Sequence, residues 1–337
     1  MLVVMRSDAT ESDVQHVIDR IEQAGMQAHV STGEFRTIIG ALGDRERLVD
    51  IPLDALPGVE RTVSISKAYK FVAREFHPEG TSVKVGDATV GRDALTMIAG
   101  PCSVENEEQA ISSAKAVAAS GAQILRGGAF KPRTSPYVFQ GLGEGGLDLL
   151  AECKRQTGLP VVTEVLDIRD LERVLEVADC IQIGARNMQN FLLLREVGLQ
   201  RKPVLLKRGF SNTIEELLMS AEYIAKGGNE NIILCERGIR TFEPSTRATL
   251  DVAAIAVLRR ASHLPIVVDP SHAAGRADLV LPLSLASVAA GADGLMVEIH
   301  PDPSEALSDG AQALTFEEFD SLMSKIKAVR EAVSGLA

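Results

Sequence analysis

The sequence predicts an α/β fold, a (β/α)₈ TIM barrel preceded by an N-terminal ferredoxin-like βαββαβ domain. After residue 94, eight short apolar runs recur and helical segments separate them, over about 240 residues, which is the size of such a barrel. Before residue 67, apolar periodicity alternates between the two-residue and the 3.6-residue period in the order of a ferredoxin-like unit. A doubly wound open sheet is the structural alternative, but the chain has no Gly-x-Gly-x-x-Gly turn to favour it.

The eight barrel strands are predicted from runs that are rich in β-branched residues or leucine. They are Met97–Ala99, Gln123–Leu125, Pro160–Thr163, Cys180–Ile183, Pro203–Leu206, Ile232–Leu234, Ile266–Val268 and Gly294–Val297. Among the helices between them, Thr213–Lys226 and Thr246–Ala261 have the clearest amphipathic periodicity.

The N-terminal unit is predicted to occupy residues 1–66. Its predicted strands are Leu2–Met5, Gln27–Val30, Thr37–Leu42 and Arg61–Ile65, and its predicted helices are Ser12–Ala24 and Arg45–Leu56. Residues 67–93 are predicted as a linker with a short hairpin, in which Ser82–Val85 and Ala88–Val90 flank a Gly86-Asp87 turn. Residues 94–337 are predicted to form the barrel.

The composition of the chain argues against several kinds of binding partner and location. The net charge of −11 and the absence of tryptophan argue against nucleic acid. No apolar run is long enough to span a membrane, and acidic residues follow Met1–Met5 too closely for a signal peptide. The four cysteines are widely spaced and form no zinc-ribbon pattern, which predicts reduced thiols in a cytoplasmic protein.

Cations collect where the predicted strands end, which is where a parallel barrel places its active site. The segment 126–135 alone holds Arg126, Lys131 and Arg133 beside two glycines and a proline. Further cations at other strand ends are Arg186, Lys207 and Arg237. Local pairing, such as Arg237 with Glu236, would explain one isolated arginine. Six cations on one rim instead predict a cavity for phosphate and carboxylate groups.

The sequence also predicts a metal site. Cys102, His272 and Glu298 follow strands one, seven and eight, which are neighbours in a closed barrel, and Asp309 lies in the loop after strand eight. One thiolate, one imidazole and two carboxylates suit Mn, Fe, Co or Zn. Taken alone, Cys102 also fits a small buried hydrophobic residue, and His300 is a competing ligand.

Seven segments make the chain resemble the DAHP (3-deoxy-D-arabino-heptulosonate 7-phosphate) synthases of type I beta, which carry an ACT-like N-terminal domain. The resemblance covers essentially the whole chain. The segments are Ala99–Glu105, Leu125–Tyr137, Gln182–Asn190, Pro203–Gly209, Ile233–Thr241, Val268–His272 and Val297–Gly310.

The resemblance implies the condensation of phosphoenolpyruvate with D-erythrose 4-phosphate, the first step of the shikimate pathway to chorismate and the aromatic amino acids. It implies that phosphoenolpyruvate is held by Arg126, Lys131, Ala185, Arg186, Lys207 and Arg237, with His272 also against substrate. Pro132, Arg133, Thr134 and Ser135 would hold the tetrose phosphate. Cys102, His272, Glu298 and Asp309 would bind the divalent metal. Glu164 would orient water or the basic groups near C2 of phosphoenolpyruvate, and Lys131 or, alternatively, metal-bound water would donate a proton.

The N-terminal unit is expected to regulate the barrel, since a module without catalytic residues supplies coupling or assembly. His29 and Ser31, at the end of its second strand, are the predicted contacts for an aromatic amino acid effector. A structural or oligomerising domain is the alternative. The resemblance also implies a homotetramer.

Three other functions remain open from the sequence. The 3-deoxy-octulosonate 8-phosphate synthases share the barrel and the enol donor, but the run Lys131-Pro132-Arg133-Thr134-Ser135 and the N-terminal domain favour the heptulosonate enzymes. A phosphate-sugar lyase or isomerase and a non-enzymatic binding barrel are the other two.

Overall fold

The computed structural model of the chain describes residues 1–32, 37–43, 52–63, 68–93, 95–133 and 135–333. The chain divides into two compact units, Met1–Pro78 and Glu79–Ala337. Within the described ranges no helix has the length and apolar character that a membrane span requires.

The first unit contains a four-stranded antiparallel sheet in the order β2-β3-β1-β4. Its strands are β1 (Leu2–Met5), β2 (Gln27–Thr32), β3 (Thr37–Leu42) and β4 (Val59–Val63), and its helix is α1 (Glu11–Gln23). Helix α1 begins one residue before the predicted start because Thr10 caps it, with Asp13 completing a capping box. Most of the predicted helix Arg45–Leu56 lies outside the described residues, and Leu53–Ala55 forms a single 3₁₀ turn.

A small hydrophobic core lies between α1 and the sheet. It contains Val17 and Ile21 from the helix and Val3, Met5 and Ile39 from the strands. The alternating apolar positions of the strands therefore face the helix, as the period-two pattern predicts.

The second unit is a closed barrel of eight parallel strands, which confirms the predicted fold class. The barrel strands are β7 (Thr96–Gly100), β8 (Ile124–Arg126), β9 (Val161–Glu164), β10 (Cys180–Ile183), β11 (Val204–Lys207), β12 (Ile232–Glu236), β13 (Ile266–Val268) and β14 (Gly294–Glu298). Strand β14 pairs with β7 and closes the barrel.

Helices surround the barrel in alternation with the strands. They are α2 (Glu107–Ala119), α3 (Glu144–Thr157), α4 (Leu171–Val177), α5 (Phe191–Gly198), α6 (Ile214–Lys226), α7 (Val252–Ala261), α8 (Pro270–Ala274), α9 (Ala277–Ala289) and α10 (Phe316–Val333). Helix α6 begins one residue later than predicted because Thr213 caps it, whereas α7 begins six residues later than predicted. Asp251 caps α7 by accepting from the Ala254 N–H at 3.0 Å, and Thr249 is bridged to Ile239 instead of being helical.

The hairpin of β5 (Val83–Val85) and β6 (Ala88–Val90) lies in the second unit, although the sequence places it in a linker. Its Val83, Val85 and Val90 belong to one hydrophobic cluster that also contains buried residues from all eight barrel strands. The hairpin therefore extends the barrel core.

Candidate active site

A cavity opens at the carboxyl ends of the barrel strands. Seven lysine and arginine side chains line it, against two carboxylates from Glu164 and Asp309. The cations are Arg126, Lys131, Arg133, Arg186, Lys207, Arg237 and Arg247. The topology thus brings together all six cations that the sequence singles out, and adds Arg247.

Cys102, His272, Glu298 and Asp309 converge beside this cavity. One ligand atom from each lies within 4.8 Å of the others. The Cys102 Sγ is 3.2 Å from Asp309 Oδ2, and the His272 Nε2 is 3.2 Å from Glu298 Oε1. Since metal–ligand bonds to these atoms are about 2.0–2.3 Å long, ligands on opposite sides of one ion lie about 4–4.6 Å apart. The four residues therefore fit a transition-metal ion in spacing and in donor chemistry.

His272 is oriented by a buried carboxylate that the sequence analysis did not assign to the site. Its Nδ1 lies 2.7 Å from Asp269 Oδ2, which leaves Nε2 facing the other ligands. Asp269 also accepts from Lys207 Nζ at 2.5 Å and caps α8 through the His272 N–H at 2.9 Å. Burial lowers the pKa of His272 and so favours the neutral imidazole that can bind a metal.

The carboxylates of the cluster are held ionised. Burial alone would raise their pKa values, but His272, at acidic pH where it is protonated, and Arg126 lower the pKa of Glu298, and Arg247 together with protonated His272 lowers that of Asp309. By contrast, burial raises the pKa of the Cys102 thiol to about 11, with Glu298 adding to the shift. Even with the Lys131 ammonium 3.0 Å from the sulfur, the thiol is therefore protonated at neutral pH unless a further positive charge, such as that of a metal ion, is added beside it.

Arg126 and Lys131 connect the metal ligands to the cavity. Arg126 Nη1 donates to Glu298 Oε1 at 2.6 Å, while its buried Nε has no hydrogen-bond partner among the described residues. A buried donor of this kind is suited to an anionic ligand. Lys131 Nζ lies 3.0 Å from both the Sγ and the carbonyl oxygen of Cys102. This position of the Lys131 side chain requires a glycine at residue 128, because a Cβ there would lie 2.8 Å from the Cys102 carbonyl oxygen and 3.0 Å from the Lys131 side chain.

Two of the cavity arginines surround one ring. The guanidinium carbons of Arg186 and Arg237 lie 5.3 and 5.0 Å from the centroid of the Phe210 ring, which also lines the cavity. Arg240 approaches the same ring at 4.8 Å. Each contact is in cation–π range, so attraction to the ring offsets part of the repulsion between the guanidinium groups. Among the described residues, neither Arg186 nor Arg237 forms an ion pair with a carboxylate.

Glu164 lies on the wall of the cavity at the end of β9. Its Oε2 accepts from Gln182 Nε2 at 3.1 Å. Gly184 lies against the carboxylate so closely that a Cβ at that position would be 1.8 Å from Glu164 Oε1. Ala185, predicted as a substrate contact, also lines the cavity.

The predicted tetrose-phosphate segment is only partly placed at the cavity. Pro132 and Arg133 line it, and Arg133 Nε donates to the Phe139 carbonyl oxygen at 3.0 Å. Ser135 is not among the lining residues, and its carbonyl oxygen accepts from Gln140 Nε2 at 3.2 Å. Thr134 lies outside the described residues.

Arg247 is a further site residue that the sequence pattern does not predict, because residues 246–251 are predicted as helix. Its Nη1 donates at 3.0 Å to Asp309 Oδ1 and at 3.0 Å to Gln312 Oε1. The competing ligand His300 is not in the metal cluster. Its Nε2 lies 3.4 Å from Glu105 Oε2.

The fold and the site together define a barrel enzyme of the kind that binds phosphorylated anions beside a metal-ligand cluster. A profile of the DAHP synthetase I family matches residues 70–334, and a profile of the DAHP synthase ferredoxin-like domain matches residues 1–67. The chain therefore belongs to the DAHP synthetase I family, and the prediction of a DAHP synthase is confirmed.

Individual relatives agree with this. Phospho-2-dehydro-3-deoxyheptonate aldolase of Thermotoga maritima is 54% identical over 333 residues, which are 99% of this chain and 98% of that protein. A crystal structure of the T. maritima enzyme covers 98% of this chain and 97% of its own, at 53% identity with a TM-score of 0.79. The 2-dehydro-3-deoxyphosphooctonate aldolase of Syntrophotalea carbinolica is 33% identical, over 75% of this chain and 98% of its own length. The heptonate enzyme is thus more similar, and it also matches the N-terminal unit.

Proposed function

We propose that the barrel condenses phosphoenolpyruvate, D-erythrose 4-phosphate and water to 3-deoxy-D-arabino-heptulosonate 7-phosphate and inorganic phosphate. The observation that carries the proposal is a cationic cavity directly against a cluster of one thiol, one imidazole and two carboxylates. Two phosphates and one carboxylate repel one another, so bringing both substrates together requires several fixed positive charges.

Phosphoenolpyruvate is assigned to the inner part of the cavity. Arg186 and Arg237 offer planar donors for its phosphate, and Phe210 fixes their spacing. Arg126, Lys131 and Lys207 are buried, at 4%, 8% and 4% exposure, so their charges are weakly screened. Ala185 and His272 complete the proposed contact set.

Erythrose 4-phosphate is assigned to the outer part, where Pro132 and Arg133 line the wall. Arg133 supplies the cation for the tetrose phosphate, and Thr134 and Ser135 are proposed to add hydroxyl donors. The aldehyde then lies between this loop and the metal ligands.

Cys102, His272, Glu298 and Asp309 would hold a divalent metal. When bound, it would supply Lewis acidity to the aldehyde oxygen. The chain prepares this site through Asp269, which orients His272, and through Lys131, which places a positive charge 3.0 Å from the thiol sulfur.

The proton transfers are assigned to Lys131 and Glu164. Carbon C3 of phosphoenolpyruvate attacks the aldehyde carbon, and Lys131 donates a proton to the alkoxide that forms. Water adds to the cationic C2 carbon, oriented by Glu164, which accepts the proton that the water loses. Cleavage of the bond between C2 and the phosphate oxygen then releases phosphate, which takes the second proton of the added water, and leaves the ketone.

The decisive experiment is a two-substrate assay on protein stripped with a chelator and resupplied with single metals. We expect turnover of erythrose 4-phosphate, phosphate release that requires both substrates, and no turnover before metal is added. Preference for arabinose 5-phosphate would instead assign an octulosonate synthase. Phosphate release without phosphoenolpyruvate would point to a lyase.

The Cys102→Ala variant tests the metal set. We expect it to lose metal-dependent turnover while its unfolding midpoint as apoprotein stays near that of the wild type. Full activity of this variant without bound metal would contradict the assignment.

The N-terminal unit is proposed to bind an aromatic amino acid effector at His29 and Ser31. Inside that unit the Ser31 Oγ lies 2.9 Å from His77 Nε2, and the His29 ring packs at 4.5 Å against Phe71. An effector that contacts these groups would have to rearrange them, which offers a route for coupling. Inhibition assays with tyrosine and phenylalanine, and light scattering for the proposed homotetramer, test these assignments. No response to either amino acid, alone or combined, would count against the effector site.

A further inference from the structure

Two of the proposed metal ligands lie on loops that follow adjacent strands. Cys102 follows β7, Asp309 lies in the loop after β14, and these strands pair with Glu298 opposite Gly100. Cys102 is two residues beyond its strand, whereas Asp309 is eleven residues beyond Glu298. The position of Asp309 therefore depends on what holds its loop.

The backbone of Asp309 has an uncommon conformation. With φ of 54°, it is the only non-glycine residue of the described chain with a positive φ. Left-handed backbone is less favourable than right-handed backbone for residues with a Cβ, although aspartate tolerates it better than most, so contacts around the loop help to hold it.

Contacts between the two loops supply that constraint. Ser103 and Ser308, which directly neighbour the two ligands in sequence, are hydrogen-bonded through their hydroxyl oxygens at 3.0 Å. Both are buried, at 0% and 5% exposure. The residue after Cys102 is thus hydrogen-bonded to the residue before Asp309.

Glu105 is the centre of these contacts. Its Oε1 accepts from the Leu307 N–H at 2.9 Å and from the Ser103 hydroxyl at 3.2 Å. Its Oε2 lies 3.4 Å from His300 Nε2, and the two side chains are only 5% and 7% exposed. The other ring nitrogen of His300 lies 2.6 Å from the Asp302 carbonyl oxygen, within the same loop. One carboxylate therefore joins the cysteine loop to both ends of the aspartate loop.

We propose that Glu105 is a positioning residue for the metal site, acting with Ser103, Ser308 and His300 to hold Cys102 and Asp309 at ligand distance. The proposal rests on the metal site assigned above. Glu105 itself does not take part in the cluster of four ligands. Outer residues that orient ligands change metal affinity by about 10–100-fold when they are removed.

The test uses the full chain as apoprotein, titrated with cobalt(II) chloride against a competing chelator. The thiolate-to-cobalt charge-transfer absorption reports whether Cys102 is a ligand. We expect Glu105→Ala to weaken cobalt binding about 10–100-fold, and Glu105→Gln, which keeps one acceptor oxygen, to weaken it less. Glu305→Ala is the matched control, since Glu305 is an exposed glutamate on the aspartate loop, and it should keep wild-type affinity.

The unfolding midpoint of each apoprotein separates positioning from general stability. A lower midpoint with unchanged cobalt affinity would overturn the proposal. If Glu105→Ala does not fold, Glu105→Gln and Ser308→Ala decide by the same comparison. If the wild-type protein shows no thiolate-to-cobalt absorption, the metal site itself is wrong. If the wild-type protein shows this absorption and the variants bind cobalt with unchanged affinity, only the role of Glu105 is wrong.

Discussion

Asp269→Asn is the substitution whose consequences follow most directly from the structure. Asp269 is fully buried, and its carboxylate faces Lys207 Nζ at 2.5 Å and His272 Nδ1 at 2.7 Å. Burial alone would raise the pKa of Asp269, but His272 and Lys207 together bring it well below 3.8. The side chain is therefore a buried anion that neutralises one cation and orients one metal ligand.

Replacing it by the isosteric amide keeps the volume and removes the charge. Since Lys207 then stays buried without a counter-charge, we expect the apoprotein to lose about 3 kcal/mol or more of unfolding free energy at pH 7. The amide can present its NH₂ group to His272 and favour the wrong tautomer, so we also expect cobalt affinity to fall about 10–100-fold.

The stability difference should depend on pH with a defined sign. A carboxyl whose pKa is lowered by folding stabilises the protein above its unfolded pKa, near 3.8 here, and this contribution is lost as the pH falls through the folded value. Urea unfolding should therefore show a gap between wild type and variant at pH 7, and the part of this gap that comes from the Asp269 charge should narrow below pH 3.8.

The control is Asp278→Asn, which removes the charge of an aspartate paired with Arg276 in an exposed position. It should leave both stability and cobalt affinity unchanged, because solvent screens that pair. Unfolding free energy and cobalt affinity of Asp269→Asn that both equal those of the wild type would refute the reasoning.

Three further substitutions test the cavity. Lys131→Met should reduce kcat by about 10²–10⁴-fold if the lysine donates the proton, and a rate near that of the wild type would remove this role. Phe210→Leu should raise KM for phosphoenolpyruvate more than it lowers kcat, because the ring spaces the phosphate-binding arginines, and Phe210→Tyr should restore the wild-type KM. Gly184→Ala should displace the Glu164 carboxylate, because its Oε1 would lie 1.8 Å from the new Cβ. Steady-state kinetics should then show a lower kcat. An unchanged kcat would argue against a role for Glu164 in the reaction.

Local patterns in the sequence predicted most of the described elements. Strands β10 and β13 match their predicted ranges, and the other barrel strands differ by one or two residues at their ends. Such patterns succeed because buried parallel strands are short apolar runs and amphipathic helices repeat every 3.6 residues. The start of α7 was predicted too early, since the apolar periodicity does not reveal that Asp251 caps it and that Thr249 pairs with Ile239.

The sequence by itself determined that the six predicted cations meet at one site, because closing eight parallel strands brings every strand end to one rim. Only the tertiary structure decided what each of them contacts there. Arg208 follows β11 next to Lys207 but pairs with Glu236 and Asp251 outside the cavity, since successive residues point to opposite sides of a strand. Contacts over long sequence separations, such as Arg247 with Asp309 or Glu105 with Leu307, depend on how loops pack and leave no period in the sequence.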